Sequence, residues 1–245
     1  MLRGIEKYRQ FSRETIEESR EYFERAIALD PTFARAHAAL ALSYFMPVEL
    51  GFADDPKAST REALRIAQDA LALDDTVRAV YFVLSNIYRL LKRHDDAITA
   101  ARRAIALDPN YADGYAVLAT NLNYAGKPDE GLAAIKHAMQ LNPRHSYFYM
   151  WILGHSHYLL GRYEEAAEQF VRVSKSNPHF AAAHKMLAAT YSELGRTDDA
   201  EWAAAELETL VPNYSLEQEI ASGAYKDPAV FRRYIDGLRK AGLQD

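Results

Sequence analysis

Residue types able to do chemistry are present in this chain, but few stand at spacings that let them act together. His155 and His157 lie two apart; on a helix of about 3.6 residues per turn they point about 200° away from one another, not at a shared metal ion. The acidic pairs Asp54-Asp55, Asp95-Asp96 and Asp198-Asp199 stand at turns ahead of helical segments. Carboxylates there complement the partial positive charge of a helix N-terminus, so they are expected to cap helices and not to form catalytic dyads. The sequence has no glycine-rich phosphate loop, no nucleophile elbow and no metal-spaced His/Glu pair. It has no cysteine, which excludes thiolate zinc sites, iron–sulfur clusters, disulfides and cysteine nucleophiles. The expectation is a chain without catalysis, metal or cofactor. Binding chemistry is concentrated in YFYMWILGHSHYLL (147–160), where Phe148, Trp151, His155 and Tyr158 recur at three, four and three and so share one helical face.

Bulk composition narrows the partners. The 245 residues carry 29 Lys and Arg against 34 Asp and Glu, a net charge of −5, and are long enough to bury a sizeable core. No basic excess is available to displace counterions from nucleic acid or to draw the chain to anionic lipid, so neither partner is expected. The opening MLRGIEKYRQFSRETIEESREYFER mixes charged and apolar residues throughout, unlike a signal peptide. The fourteen residues of 147–160 are too few to span a bilayer. These readings point to a cytoplasmic chain with no membrane span.

The elements that position the aromatic face come from an internal repeat. FERAIALDP (23–31), AQDALALDD (67–75), ARRAIALDP (101–109), IKHAMQLNP (135–143) and FVRVSKSNP (170–178) are copies of one phrase, with a looser copy at AELETLVP (205–212). Pro109, Pro143, Pro178 and Pro212 are spaced by 34, 35 and 34 residues. The interval from Pro31 to Asp75 is 44, which marks an insertion at 46–59. Within a unit, Tyr81, Leu84, Ser85 and Tyr88, then Ala97, Ala101 and Ala104, follow the helical period and not the strand period. Proline ends each second helix because it cannot continue the hydrogen-bond ladder and disfavours helical geometry in the residue before it.

The pattern resembles the tetratricopeptide repeat. Its clearest copies are Met150-x-x-Leu153-Gly154-x-x-His157 with Ala166, Phe170 and Pro178, and His184-x-x-Leu187-Ala188-x-x-Tyr191 with Ala200 and Pro212. Tyr81, Tyr115 and His37 take the large first position elsewhere, and Gly131 stands where Ala is usual. The resemblance implies an all-α fold, a right-handed superhelical solenoid of stacked helix-turn-helix repeats. Its units would be 1–33, 34–77 with the insertion 46–59, 78–111, 112–146, 147–180 and 181–214, closed by a helical cap at 215–245. In that cap Asp227-Pro228 would start a helix with Val230, Phe231, Tyr234 and Leu238 inward and Arg232, Arg233, Arg239 and Lys240 in water. Such hairpins cannot bury their apolar faces alone and stack into one array. A narrower resemblance, carried by the opening LRG, the long first turn, FERAIALDP and the closing YKDPAVFRRYIDGLRKAGL, is to the repeat region after the catalytic domain of bacterial class III adenylate or guanylate cyclases. It implies a regulatory or docking role in signalling.

Charge placement separates two layers. No Asp, Glu, Lys or Arg occurs between Arg35 and Glu49, Arg78 and Arg89, Asp113 and Lys127, or Arg144 and Arg162. These blanks are first helices, which are expected inside, with the charged second helices in water. The inner stripe left after packing is Phe82, Asn86 and Arg89, then Asp113, Thr120, Asn123 and Tyr124, then Phe148, Trp151, His155 and Tyr158, then Lys185, Ala189 and Ser192. The candidate binding residues are Phe82, Asn86, Arg89, Asn123, Tyr124, Phe148, Trp151, His155, Tyr158 and Lys185. Either the chain covers the aromatic stripe itself, through curvature or by folding back Val48, Leu50 and Phe52, or the stripe is an open groove for a protein or peptide with an apolar or aromatic segment. The cation pattern by which some repeats of this type clamp a C-terminal carboxylate is absent. Self-association into a homo-oligomer through Leu2, Ile5, Tyr8 and Phe11, and a small-molecule sensor at His155 and Tyr158, are the alternatives.

Overall fold

A computed structural model describes residues 1–10 and 12–244, apart from the side chain of Ser222, so Phe11 lies outside the described residues. Among them are fourteen α-helices and no strand. They fall into two compact units, 1–117 and 118–245. The first holds α1 (Leu2–Tyr8), α2 (Arg13–Leu29), α3 (Ala34–Glu49), α4 (Pro56–Leu73), α5 (Arg78–Leu90) and α6 (His94–Leu107), and α7 (Ala112–Tyr124) runs through the division. The second holds α8 (Pro128–Leu141), α9 (Tyr147–Leu159), α10 (Tyr163–Ser176), α11 (Ala181–Glu193), α12 (Thr197–Leu210), α13 (Leu216–Ser222) and α14 (Pro228–Lys240). Helices pack on their hairpin partners and on the next hairpin, as α3 does on α4 and α5 in the first unit and α9 on α10 and α11 in the second. The chain is all-helical and built of stacked helix pairs.

The repeat phrases mark the helix ends. The residue closing α2, α6, α8 and α10 is Asp30, Asp108, Asn142 or Asn177, each out of helical geometry and each followed by proline, as proline requires of its predecessor. Asp74 has no proline after it, yet it closes α4 at φ −158° and ψ 107°. Its Oδ1 accepts from the Thr76 amide at 2.8 Å and the Thr76 hydroxyl at 2.7 Å, so a side-chain turn replaces the ring constraint. Those bonds hold the Asp74 carboxyl below its usual range.

From α3 on, each first helix is followed by a left-handed residue. Gly126, Gly161 and Gly195 lie at φ 69–78°, and the next amide reaches back to form the six-residue closure of a helix C-terminus, as in Arg162 to the His157 carbonyl at 2.9 Å. Lys92 occupies the same place at φ 57° without being glycine. Arg93 and Arg196 follow these turns and lie over Tyr88 and Tyr191, both at 4.4 Å. They pair with Asp96 and Asp199, each at 2.7 Å. These two aspartates therefore hold the preceding arginine, whereas Asp55 is a true cap and accepts from the Ala58 amide at 2.9 Å.

Alanine makes the close helix approaches: Ala63, Ala67, Ala70, Ala97, Ala101 and Ala104 are fully buried. The insertion is tied to the start of α2, where Arg13 pairs with Asp54 at 3.0 Å, donates to the Phe52 carbonyl and lies over the Phe52 ring at 5.5 Å.

Candidate binding face

The first unit contributes Phe82, Asn86 and Arg89, all on α5. Phe82 is half-buried, its ring 5.9 Å from Tyr111. Asn86 donates to the Phe82 carbonyl at 2.9 Å. Arg89 reaches Glu49 at 2.7 Å with little of its side chain exposed, so its charge is already neutralised.

In the second unit, α7 supplies Asn123 and Tyr124, α9 supplies Phe148, Trp151, His155 and Tyr158, and α11 supplies Lys185. Asn123 and Ser156 are both buried, and the amide donates to the hydroxyl at 2.9 Å, locking α7 to α9. An aromatic ladder follows from the spacing on α9. Phe148 stacks on Trp151 at 5.8 Å, Trp151 meets His155 at 5.2 Å, and His155 meets Tyr124 at 5.1 Å.

Much of this ladder is not open. Phe148 is 38% exposed, but Trp151 is 8% exposed and His155 and Tyr158 are 0% exposed. Of the two arrangements open to this stripe, coverage by the chain itself holds at three of its four aromatic positions. Trp151 is walled by Phe148, His155 and the edge of Phe180, the last at 6.4 Å. Tyr158 lies against Tyr163 at 5.6 Å. Burial pushes its phenol well above the usual tyrosine value; Glu193 adds to the rise and Arg233 opposes it.

His155 is covered by the chain's own C-terminal segment. The Tyr225 hydroxyl lies 2.7 Å from His155 Nε2, and its ring packs at 5.0 Å on Tyr124. The Lys226 amide donates to the Tyr124 carbonyl at 2.8 Å. Lys185 pairs with Glu219 at 2.8 Å, and the Tyr234 hydroxyl donates to the same carboxylate at 3.1 Å. Residues 215–245 were expected to cap the last pair. α14 does pack on α11 and α12, and the segment before it also reaches back across α9 to α7. Arg233, expected in water, is half-buried.

His157 points away from this face, and burial holds its imidazole below the usual histidine value. Among the described residues no group of three or more His, Asp or Glu is placed to hold a metal ion, and no helix is long and apolar enough to cross a membrane. A hollow of about 120 Å³ lies beside Tyr124, Tyr225 and Val230, below the about 300–1,000 Å³ of ordinary ligand cavities.

Residues 78–111 and 153–215 each match a tetratricopeptide-repeat family model. These two stretches carry the tetratricopeptide repeat. Solved structures share the fold. A chain of the APC/C hetero-tetramer Cut9-Hcn1 is 18% identical, with TM-score 0.70 over 86% of this chain and 40% of that one. Human IFIT1, solved as a dimer with PPP-AAAA, is 18% identical, with TM-score 0.69 over 95% and 57%. PilW, a type IV pilus biogenesis factor, is 22% identical, with TM-score 0.63 over 82% and 90%. No curated protein matches the chain.

The repeat's small positions have visible causes here. A Cβ at Gly154 would come within 2.8 Å of the Phe170 ring. A Cβ at Gly131, where the repeat usually has alanine, would collide with Asn123 Oδ1; the polar lock from α7 to α9 takes that space. Asn123→Ala is accordingly expected to lower the unfolding free energy by about 1–2 kcal/mol, because the buried Ser156 hydroxyl loses a partner. Urea denaturation measures this, and an unchanged midpoint would show the lock to be neutral.

Sequence reasoning missed Tyr225, Lys226 and Glu219. A tyrosine in the short irregular stretch GAYKDP between two helices was the available signal, but nothing local says which surface it meets.

Proposed function

We propose that this chain is a non-catalytic scaffold whose first-helix faces bind a protein or peptide through an apolar or aromatic segment. The observation that carries the reading is that the face of α7 and α9 already holds such a segment: Tyr225 and Lys226 lie on it with one aromatic side chain among rings and one backbone amide on an acceptor. A few hundred Å² buried at about 25 cal/mol per Å² supports micromolar affinity after ordering costs. Phe148, beside Trp151, is the exposed entry to the ladder.

Selection of displayed peptides against the full chain tests this. Aromatic-bearing segments should be enriched, and Phe148→Ala and Trp151→Ala should each weaken them at least about tenfold with helicity retained. Enrichment of nothing, or binding indifferent to both variants, would end the proposal.

A second reading is self-association, as in a regulatory segment beside a signalling enzyme such as a nucleotide cyclase. It draws on Leu2, which is 83% exposed, while Ile5 and Tyr8 are packed against the first unit's core. Light scattering over a concentration range decides it; a strict monomer removes it.

A further inference from the structure

Building on the scaffold reading, we propose that Tyr124 and His155 form a tyrosine-recognition site, and that Tyr225 is a resident occupant which a tyrosine-bearing extended segment of a partner protein replaces. The occupant already seated defines the chemistry. Its ring lies 5.0 Å from Tyr124 and 5.6 Å from His155, and its hydroxyl meets His155 Nε2 at 2.7 Å. His155 is fully buried, so a phenylalanine in this place fills the rings but leaves that nitrogen without the phenol, the kind of loss by which a polar site rejects an isostere lacking the hydroxyl.

A second contact is independent of side chain. Tyr124 is the last residue of α7, and the final carbonyls of a helix have no acceptor role within it. The Lys226 amide fills that role at 2.8 Å while the residue itself is exposed. Any residue other than proline placed after a partner tyrosine offers the same donor. The site therefore reads a tyrosine side chain followed by an extended backbone.

The resident is held so that it can leave. Lys226, Asp227, Pro228 and Ala229 are exposed, and Gly223 sets the preceding turn at φ 49°. Beyond it α14 touches the Tyr225 ring through Phe231 at 6.1 Å and Tyr234 at 5.9 Å, but has its own hold on α11: Leu238 is buried, Gly237 lies flat on the Ala189 backbone, and Ser192 donates to the Gly237 carbonyl at 2.8 Å. A short exposed stretch between anchored elements can open locally while α14 keeps its contacts to α11. The hollow of about 120 Å³ beside Tyr225 is volume on this face that the resident leaves unfilled.

The test uses the full chain as wild type, Tyr225→Ala and Tyr225→Phe, each checked for helicity. The probe is the blocked hexapeptide Gly-Ala-Tyr-Lys-Asp-Pro, followed by NMR of the Trp151 indole N–H. Tyr225→Ala should bind it at least about tenfold more tightly than wild type, whose tethered tyrosine competes at a local concentration of about millimolar. Tyr225→Phe should also gain over wild type, by less, and carries the test if Tyr225→Ala does not fold. The hexapeptide with phenylalanine for tyrosine should bind Tyr225→Ala about fivefold more weakly. No gain over wild type in folded variants, or equal binding of the two peptides, overturns the proposal. A wild-type dimer that the hexapeptide dissociates assigns the occupant to a second copy and overturns the assignment to a partner. If Phe148-dependent binding of selected segments persists while the hexapeptide is ignored, this site falls and the scaffold reading stands; loss of both removes both.

Discussion

Phe170→Ala is expected to lower the unfolding free energy by about 3–5 kcal/mol, the range for emptying a fully buried aromatic position. Phe170 is 0% exposed and its ring edge closes on Gly154, so that even a methyl group there would stand 2.8 Å away. The surroundings have little freedom to collapse into the space. α9 is locked to α7 through Asn123 and Ser156, and α10 follows α9 across the closed turn at Gly161. Urea denaturation followed by helicity measures the loss. A change below about 1 kcal/mol would mean that α9 and α10 close the gap by moving together.

The second large effect is alkaline unfolding. Tyr158 is 0% and Tyr234 2% exposed. Burial pushes both phenols above the ordinary value of 10.0; Glu193 adds to the rise at Tyr158 and Glu219 at Tyr234. The folded chain therefore keeps protons that the unfolded chain releases near pH 10. Their contribution is fully present below pH 10 and is lost as pH rises above it. Each phenol lowers stability by about 1.4 kcal/mol per pH unit beyond that point, or about 3 kcal/mol for the two at pH 11. Melting curves from pH 8 to 11, with tyrosinate absorbance recorded in parallel, test it. Absorbance should lag and then rise together with unfolding; smooth ionisation of all 16 tyrosines near pH 10 in a folded chain would contradict the burial.

How far the sequence reaches is clearest at particular residues. Asp-Pro and Asn-Pro fall where second helices end, and Gly126, Gly161 and Gly195 fall where first helices end, because these signals act within a few residues of the bond they govern. Lys92 and Asp74 fill the same two roles without the usual residue, one by accepting a left-handed backbone and the other by a side-chain turn to Thr76. Periodicity also placed Phe148, Trp151, His155 and Tyr158 on one face, since a helix carries its own ruler.

Whether that face is open is a different kind of question. It depends on where a chain goes after its last full repeat, and no spacing in 215–245 states that Tyr225 turns back to His155. Charge pattern could say that the first helices avoid water; it could not say whether a partner or the chain itself excludes it. Helical period and helix ends were therefore open to reading residue by residue, because each arises from neighbours along the backbone. The burial of Trp151 and Tyr158, the space that makes Gly131 a glycine, and the occupied pocket at Tyr124 and His155 were settled only when distant residues came together, as Lys226 does on Tyr124, 102 positions away.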